Sequence, residues 1–142
     1  YLERISAKYE WEIPIESLRA KIRGNFHREI VGTRPIMMHL ATKYDVVLLS
    51  DHAREWVAYI RSIHPFLAEF DRQFFSYVLG RTKRDPRAFK QVLETMSYRA
   101  EDCWLIDDSR NNIKTAASVG INGIRFIDAV QLQEQLASRS IW

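Results

Sequence analysis

Three short stretches of the chain carry side chains with chemistry in them. Asp107-Asp108-Ser109, with Asn112 one helical turn on, sets two carboxylates side by side directly after the apolar run Trp104-Leu105-Ile106. Neighbouring like charges repel. A hard divalent cation such as Mg²⁺ relieves the repulsion, because it takes one or two carboxylate oxygens together with waters and phosphate oxygens. The same residues also read as a plain helix start capped by Asp108-Ser109. Lys83 stands between Gly80 and Asp85-Pro86. An ammonium there can hold a phosphate oxygen and offset nearby acids, or be an ordinary solvated loop lysine. Ser50-Asp51 closes another apolar run and adds a hydroxyl.

Hydrophobic period shows how these stretches come to one place. Asp45 to Ser50 reads Asp-Val-Val-Leu-Leu-Ser, the pattern of a strand buried on both faces. Strands in the same style are expected over residues 77–80, 103–108 and 123–127. Amphipathic helices are expected between and after them, over about 55–63, 86–96, 110–119 and 128–138. Asp85-Pro86 is a strong helix start and Gly120 a strong stop. Upstream, Leu2, Ile5 and Tyr9, then Ile15, Leu18, Ile22 and Phe26 after a break at Ile13-Pro14, keep helical spacing. They predict two helices within residues 1–29. Thr33 is expected to cap a third, with Pro35 in its first turn. Strands alternating with helices imply a doubly wound parallel α/β sheet, whose ligands bind beyond the carboxyl ends of the strands. Ser50, Lys83 and the Asp107-Asp108 pair all fall at that edge.

Composition narrows the function classes. The chain has 142 residues, 46% hydrophobic and 27% charged, which suits one folded, water-soluble domain rather than disorder. Its net charge of +3 comes from basic residues scattered among acids, so no nucleic-acid-binding stripe is expected. No apolar run approaches the roughly 20 residues that span a bilayer, and neither a membrane segment nor a secretory leader is expected. Cys103 is the single cysteine, which excludes an intrachain disulfide framework and a cysteine-based zinc cluster and points to a reducing cytoplasm. Oligomeric state has no signature here, and a homo-oligomer is compatible with the sequence.

Taken in order, the hydroxyl after a hydrophobic strand, the Gly-x-x-Lys-x-Asp-Pro of residues 80–86 and the Asp-Asp-Ser-x-x-Asn of residues 107–112 resemble the later motifs of the haloacid dehalogenase superfamily of hydrolases. The resemblance runs from Asp45 to Phe126. It includes Phe70 to Gly80, similar to that family's third strand, and Ala116-Ala117-Ser118-Val119-Gly120-Ile121, similar to the ending of its last motif. The helices before Asp45 look like the small helical cap of the family's phosphatase, epoxide-hydrolase-like and dehalogenase branches. The resemblance implies a cap segment over residues 1–32 and a Rossmann-like α/β core over 33–142. It also implies an Mg²⁺-dependent phosphatase acting on a small phosphorylated metabolite through an aspartyl-phosphate intermediate. Ser50 and Lys83 would bind the phosphoryl group, with Asp51 beside them on the substrate. Asp108 would coordinate Mg²⁺ directly and Asp107 through water, while Asn112 and Ser109 would support the metal loop.

The chain departs from the family pattern in three places. Arg84 replaces the usual Pro after the motif lysine, and Asp51 an Asn that often follows the motif serine. The first motif, an apolar strand ending Asp-x-Asp that supplies the nucleophile, is not in the sequence, so the nucleophile is expected upstream of residue 1. In the family that strand lies between those ending at Ser50 and Asp108. Strands pair about 4.8 Å apart, so its absence implies a slot about twice as wide with two unpaired inner edges.

Other readings fit less well. A response-regulator receiver has its acids before its hydroxyl and lysine, the reverse of the order here. Ser50-Asp51-His52 are sequence neighbours and cannot form a relay in which each group points at the next. A metal-free dehalogenase is the rival within the family, and the tandem acids favour metal and phosphoryl chemistry over it. A non-catalytic fragment serving as a binding or assembly module is the rival from another class, associating through the unpaired sheet edges. His27, His39 and His64 lack metal-ligand spacing, and Trp11, Trp56, Trp104 and Cys103 fit hydrophobic packing.

Overall fold

Two stretches of β-propensity pair in parallel near the middle of the chain and two more near its end, each joined by a helical crossover. The computed structural model describes residues 2–142; Tyr1, where the first helix is expected to begin, lies outside them. Helices α1 (Leu2–Lys8), α2 (Ile15–Phe26) and α3 (Thr33–Ala41) precede strand β1 (Val47–Ser50). Then follow α4 (Arg54–Ile63), β2 (Arg72–Phe75), the one-turn α5 (Ser76–Leu79), α6 (Pro86–Met96), β3 (Trp104–Asp107), α7 (Arg110–Ala117), β4 (Asn122–Arg125) and α8 (Ala129–Ser138). Short 3-10 turns at Pro65–Glu69 and Ala100–Asp102 lead into β2 and β3.

β1 pairs with β2 in parallel, Val47 opposite Arg72 and Ser50 opposite Phe75, and β3 with β4, Trp104 opposite Asn122 and Asp107 opposite Arg125. The two ladders share no strand pairing among the described residues. Helices cover both faces of β3 and β4. On one side Ile106 and Ile124 pack with Ile36 and Leu40 of α3 and with Leu132 and Leu136 of α8. On the other, Leu105 packs with Phe89 of α6 and Ala116 of α7. β1 joins the same two layers, Val46 just before it in the first cluster and Leu49 in the second. Alternate residues facing opposite helices are what a doubly wound sheet requires. Phe89, 2% exposed, fixes α6 beneath the Lys83 loop, and its burial stabilises the fold by about 1.5–3 kcal/mol.

The structure corrects two local expectations. Residues 77–80 are not a strand: Ser76–Leu79 form α5, and the strand is Arg72–Phe75. The run Tyr77-Val78-Leu79 has strand-like composition, but only Leu79 is buried while Val78 is 68% exposed. The true strand was disguised by Arg72 and Gln73; the Gln73 amide is held by the Leu67 carbonyl at 2.6 Å and by Arg61 at 2.9 Å. Nor does Thr33 cap α3. Gly32, at φ +89°, takes the cap position, and the Thr33 hydroxyl turns back to the Ile30 carbonyl at 2.7 Å.

Candidate active site

The carboxyl ends of β1 and β3 bring the sequence-predicted residues together around one carboxylate. Asp107, the last residue of β3, is buried, 7% exposed, and its two oxygens accept three hydrogen bonds. Oδ1 takes the Ser109 backbone N–H at 2.8 Å and the Asn112 side-chain amide at 3.0 Å. Oδ2 takes the Lys83 ammonium at 2.6 Å. Ser109 also caps α7, its hydroxyl accepting the Asn112 N–H at 3.4 Å, so the turn that starts the helix is the turn that encloses Asp107.

Lys83 is held from the other side. Gly80 ends α5 at φ +70°, a left-handed turn that suits glycine, and sends the chain back across the end of β1. There both oxygens of Asp51 accept the Lys83 backbone N–H, at 3.1 and 3.2 Å. The loop then enters α6 at Asp85-Pro86, where Asp85 accepts the Arg87 N–H at 2.9 Å and pairs with its guanidinium at 2.7 Å. That side-chain contact, aided by the backbone bond, lowers the Asp85 carboxyl to about 2. Asp51, Lys83, Asp107, Ser109 and Asn112 thus form one connected network. Ser50 sits at the same edge, opposite Phe75 in the ladder. Asp108 is exposed, and its carbonyl accepts from the Arg125 guanidinium at 3.3 Å.

Among the described residues no three His, Cys, Asp or Glu side chains converge on a cation. The donor set nonetheless suits Mg²⁺ in kind. Asp107 has about four acceptor sites, of which three are used, and Asp108 keeps its carboxylate at the surface. Two hard carboxylates are as many as this ion usually takes from protein.

Beside the network lies a cleft of about 500 Å³ that the sequence did not reveal. Ile22 and Phe26 of α2, Trp56 of α4, Tyr77 of α5 and His52 of the loop after β1 line it, and Asp51, Arg81 and Thr82 join it to the network. The His52 ring stands edge-on to Phe26, centroids 5.4 Å apart, and Trp56 lies 6.0 Å from the same ring. Burial lowers the His52 pKa below its ordinary 6.5; Asp51 opposes the shift and Lys83 adds to it. A signal was available in α2, an amphipathic helix with no fully buried residue, whose apolar end faces the cleft.

Comparison with known proteins agrees with this architecture. Residues 14–120 match the profile of haloacid dehalogenase-like hydrolases. A flavin mononucleotide hydrolase of Arabidopsis thaliana is 32% identical over 68 residues, 48% of this chain and 28% of that protein. A HAD family enzyme of Bacteroides thetaiotaomicron, solved as a magnesium complex, superposes with TM-score 0.60 at 27% identity over 68% of this chain and 52% of that one. An L-2-haloacid dehalogenase shares the fold with TM-score 0.65 at 17% identity over 92% of this chain and 57% of its own. The chain thus spans little more than half the length of the solved relatives and less of the plant one. The profile match covers most of the chain, including both ladders' first strands, the Lys83 loop and the Asp107 turn, and the chain belongs to the haloacid dehalogenase-like hydrolases.

Proposed function

We propose that the protein is an Mg²⁺-dependent phosphatase for a small phosphorylated metabolite, working through an aspartyl-phosphate. The observation that carries this reading is the Lys83 ammonium on the buried Asp107 at 2.6 Å, at the edge where Ser50 also lies. Phosphoryl transfer needs positioning and charge neutralisation more than covalent help from the protein, and this edge supplies both signs of charge. Lys83 and the Ser50 hydroxyl bind the phosphoryl oxygens. Asp51 orients Lys83 through its backbone. Asp107 and Asp108 hold the metal, with Asn112 and Ser109 fixing the Asp107 carboxylate. When bound, Mg²⁺ supplies positive charge against the phosphoryl oxygens. Asp107, with three of its about four acceptor sites taken, keeps the remaining one for the metal, and the nucleophilic aspartate is a residue other than these. Residues 1–32 form the cap over this edge. Two relatives support the reading, one named for hydrolysing a phosphate ester and one solved with magnesium.

The test is hydrolysis of 4-nitrophenyl phosphate by the whole protein. We expect turnover that requires Mg²⁺ and is abolished by Asp108→Asn and by Lys83→Ala. Turnover indifferent to the metal and to both substitutions overturns the reading.

A further inference from the structure

The cleft beside the network has more room, and a different chemistry, than a phosphoryl group needs. Its volume of about 500 Å³ lies in the range of sites for organic ligands. A phosphate ion fills only a fraction of that space. Three aromatic rings and an imidazole line it: Phe26, Trp56, Tyr77 and His52. These come from separate elements, α2, α4, α5 and the loop after β1, so the lining is built by the fold and is not the stripe of one helix. Trp56 is nearly inaccessible and forms a fixed wall, while Tyr77 is 37% exposed, stacked on Phe75 at 6.2 Å with the Arg54 guanidinium 5.5 Å from its ring centre. Phe26 is packed by His52 at 5.4 Å and Trp56 at 6.0 Å, so the aromatic lining is a preformed cluster.

The polar end of the cleft is as specific as its apolar end. Asp51 and Thr82, the chain neighbours of Ser50 and Lys83, both border it. Arg81 adds a guanidinium to the wall. That guanidinium is held from outside the cleft, donating to Gln91 at 3.2 Å with its Nε 3.6 Å from Asp85.

We propose that this cleft seats a planar aromatic or heteroaromatic group, and that the natural substrates are phosphate monoesters of such ring systems. The inference rests on the phosphatase reading for the phosphoryl end and adds the identity of the leaving group. A flat ring enters the cleft against the cluster of Phe26, His52 and Trp56 with Tyr77 at its rim, and the ester oxygen points toward Ser50 and Lys83. Short aliphatic phosphates leave the cleft wet and gain nothing from its walls. A buried ring with good aromatic contacts is worth about tenfold in affinity or more.

The experiment measures dissociation constants of phenyl phosphate, glycerol phosphate and inorganic phosphate for the whole protein by calorimetry. Hydrolysis of the two esters is followed in parallel. Phenyl phosphate should bind at least about tenfold more tightly than glycerol phosphate. It should also shift the ring resonances of Phe26, His52 and Trp56. Tyr77→Ala and, separately, Phe26→Leu should remove most of that preference while leaving inorganic phosphate binding unchanged. Equal affinity for the two esters overturns the inference, as does a preference that survives both substitutions. Binding of phenyl phosphate in the cleft without hydrolysis overturns the phosphatase reading alone. Hydrolysis of both esters with equal affinity overturns the inference alone.

Discussion

The Lys83 ammonium and the Asp107 carboxylate, 2.6 Å apart and both largely buried, tie the segment after β2 to the end of β3, where no strand pairing among the described residues joins the two ladders. The pair is therefore a structural joint as well as a chemical group. Removing one member of a buried ion pair leaves the other uncompensated and costs about 3–5 kcal/mol. Lys83→Met should lower the unfolding free energy by that order, measured in urea. The double variant Lys83→Met, Asp107→Asn should recover part of the loss, because no buried charge is left alone. A double variant as destabilised as the sum of its singles would falsify the coupling.

His52 should titrate below 6.5 in the folded protein, because burial disfavours its imidazolium. Its contribution to stability is complete above the unfolded value and lost as the pH falls through the folded one. Asp51 raises the folded value and Lys83 lowers it. Asp51→Asn should therefore lower the midpoint seen by proton NMR, and Lys83→Met raise it. Opposite movements would refute this account of the cleft's electrostatics.

Asp85 begins α6 with its carboxyl lowered to about 2 by Arg87, so it favours the folded state above the ordinary carboxylate range. That contribution is lost as the pH falls from about 4 toward 2. Replacing Arg87 by Ala should bring the Asp85 midpoint, read from its carboxyl carbon resonance, back toward the ordinary value. A midpoint near 2 in that variant would assign the shift to the helix start alone.

Gly123 lies where α7 crosses β4. A Cβ there would stand 2.7 Å from Ile113 Cγ2, an atom on a branched and stiff side chain. Gly123→Ala should cost about 1–3 kcal/mol by overpacking. In the Gly123→Ala background, Ile113→Ala should destabilise much less than it does alone. Full additivity of the two substitutions would place the strain elsewhere.

Helix α6 was legible to the residue, Pro86 to Met96, because its start is written locally in Asp85-Pro86 and its inner face in Phe89 and Leu93. The convergence of Asp107, Ser109 and Asn112 was also legible in the turn from β3 into α7, whereas Lys83 reaches Asp107 from a loop that follows a helix and not the strand expected at 77–80. Other features depend on contacts distant in sequence. β2 reads as polar at Arg72 and Gln73, and only its pairing with β1 makes it a strand. The difference between buried Asp107 and exposed Asp108 follows from which side of the turn each residue faces. The aromatic cleft is assembled from residues up to 60 positions apart, Ile22 to Thr82, with no shared motif.

The two ladders have a further consequence. Within a continuous sheet, backbone pairing would fix Ser50 relative to Asp107 as rigidly as any two points in the core. Among the described residues, Ser50 and Asp107 are linked instead by side-chain packing and by the Asp51, Lys83 and Asp107 contacts. A ligand that engages both ends would add a further link between them. Slower amide exchange along β1 and β3 would then report occupancy directly, without a chromogenic substrate.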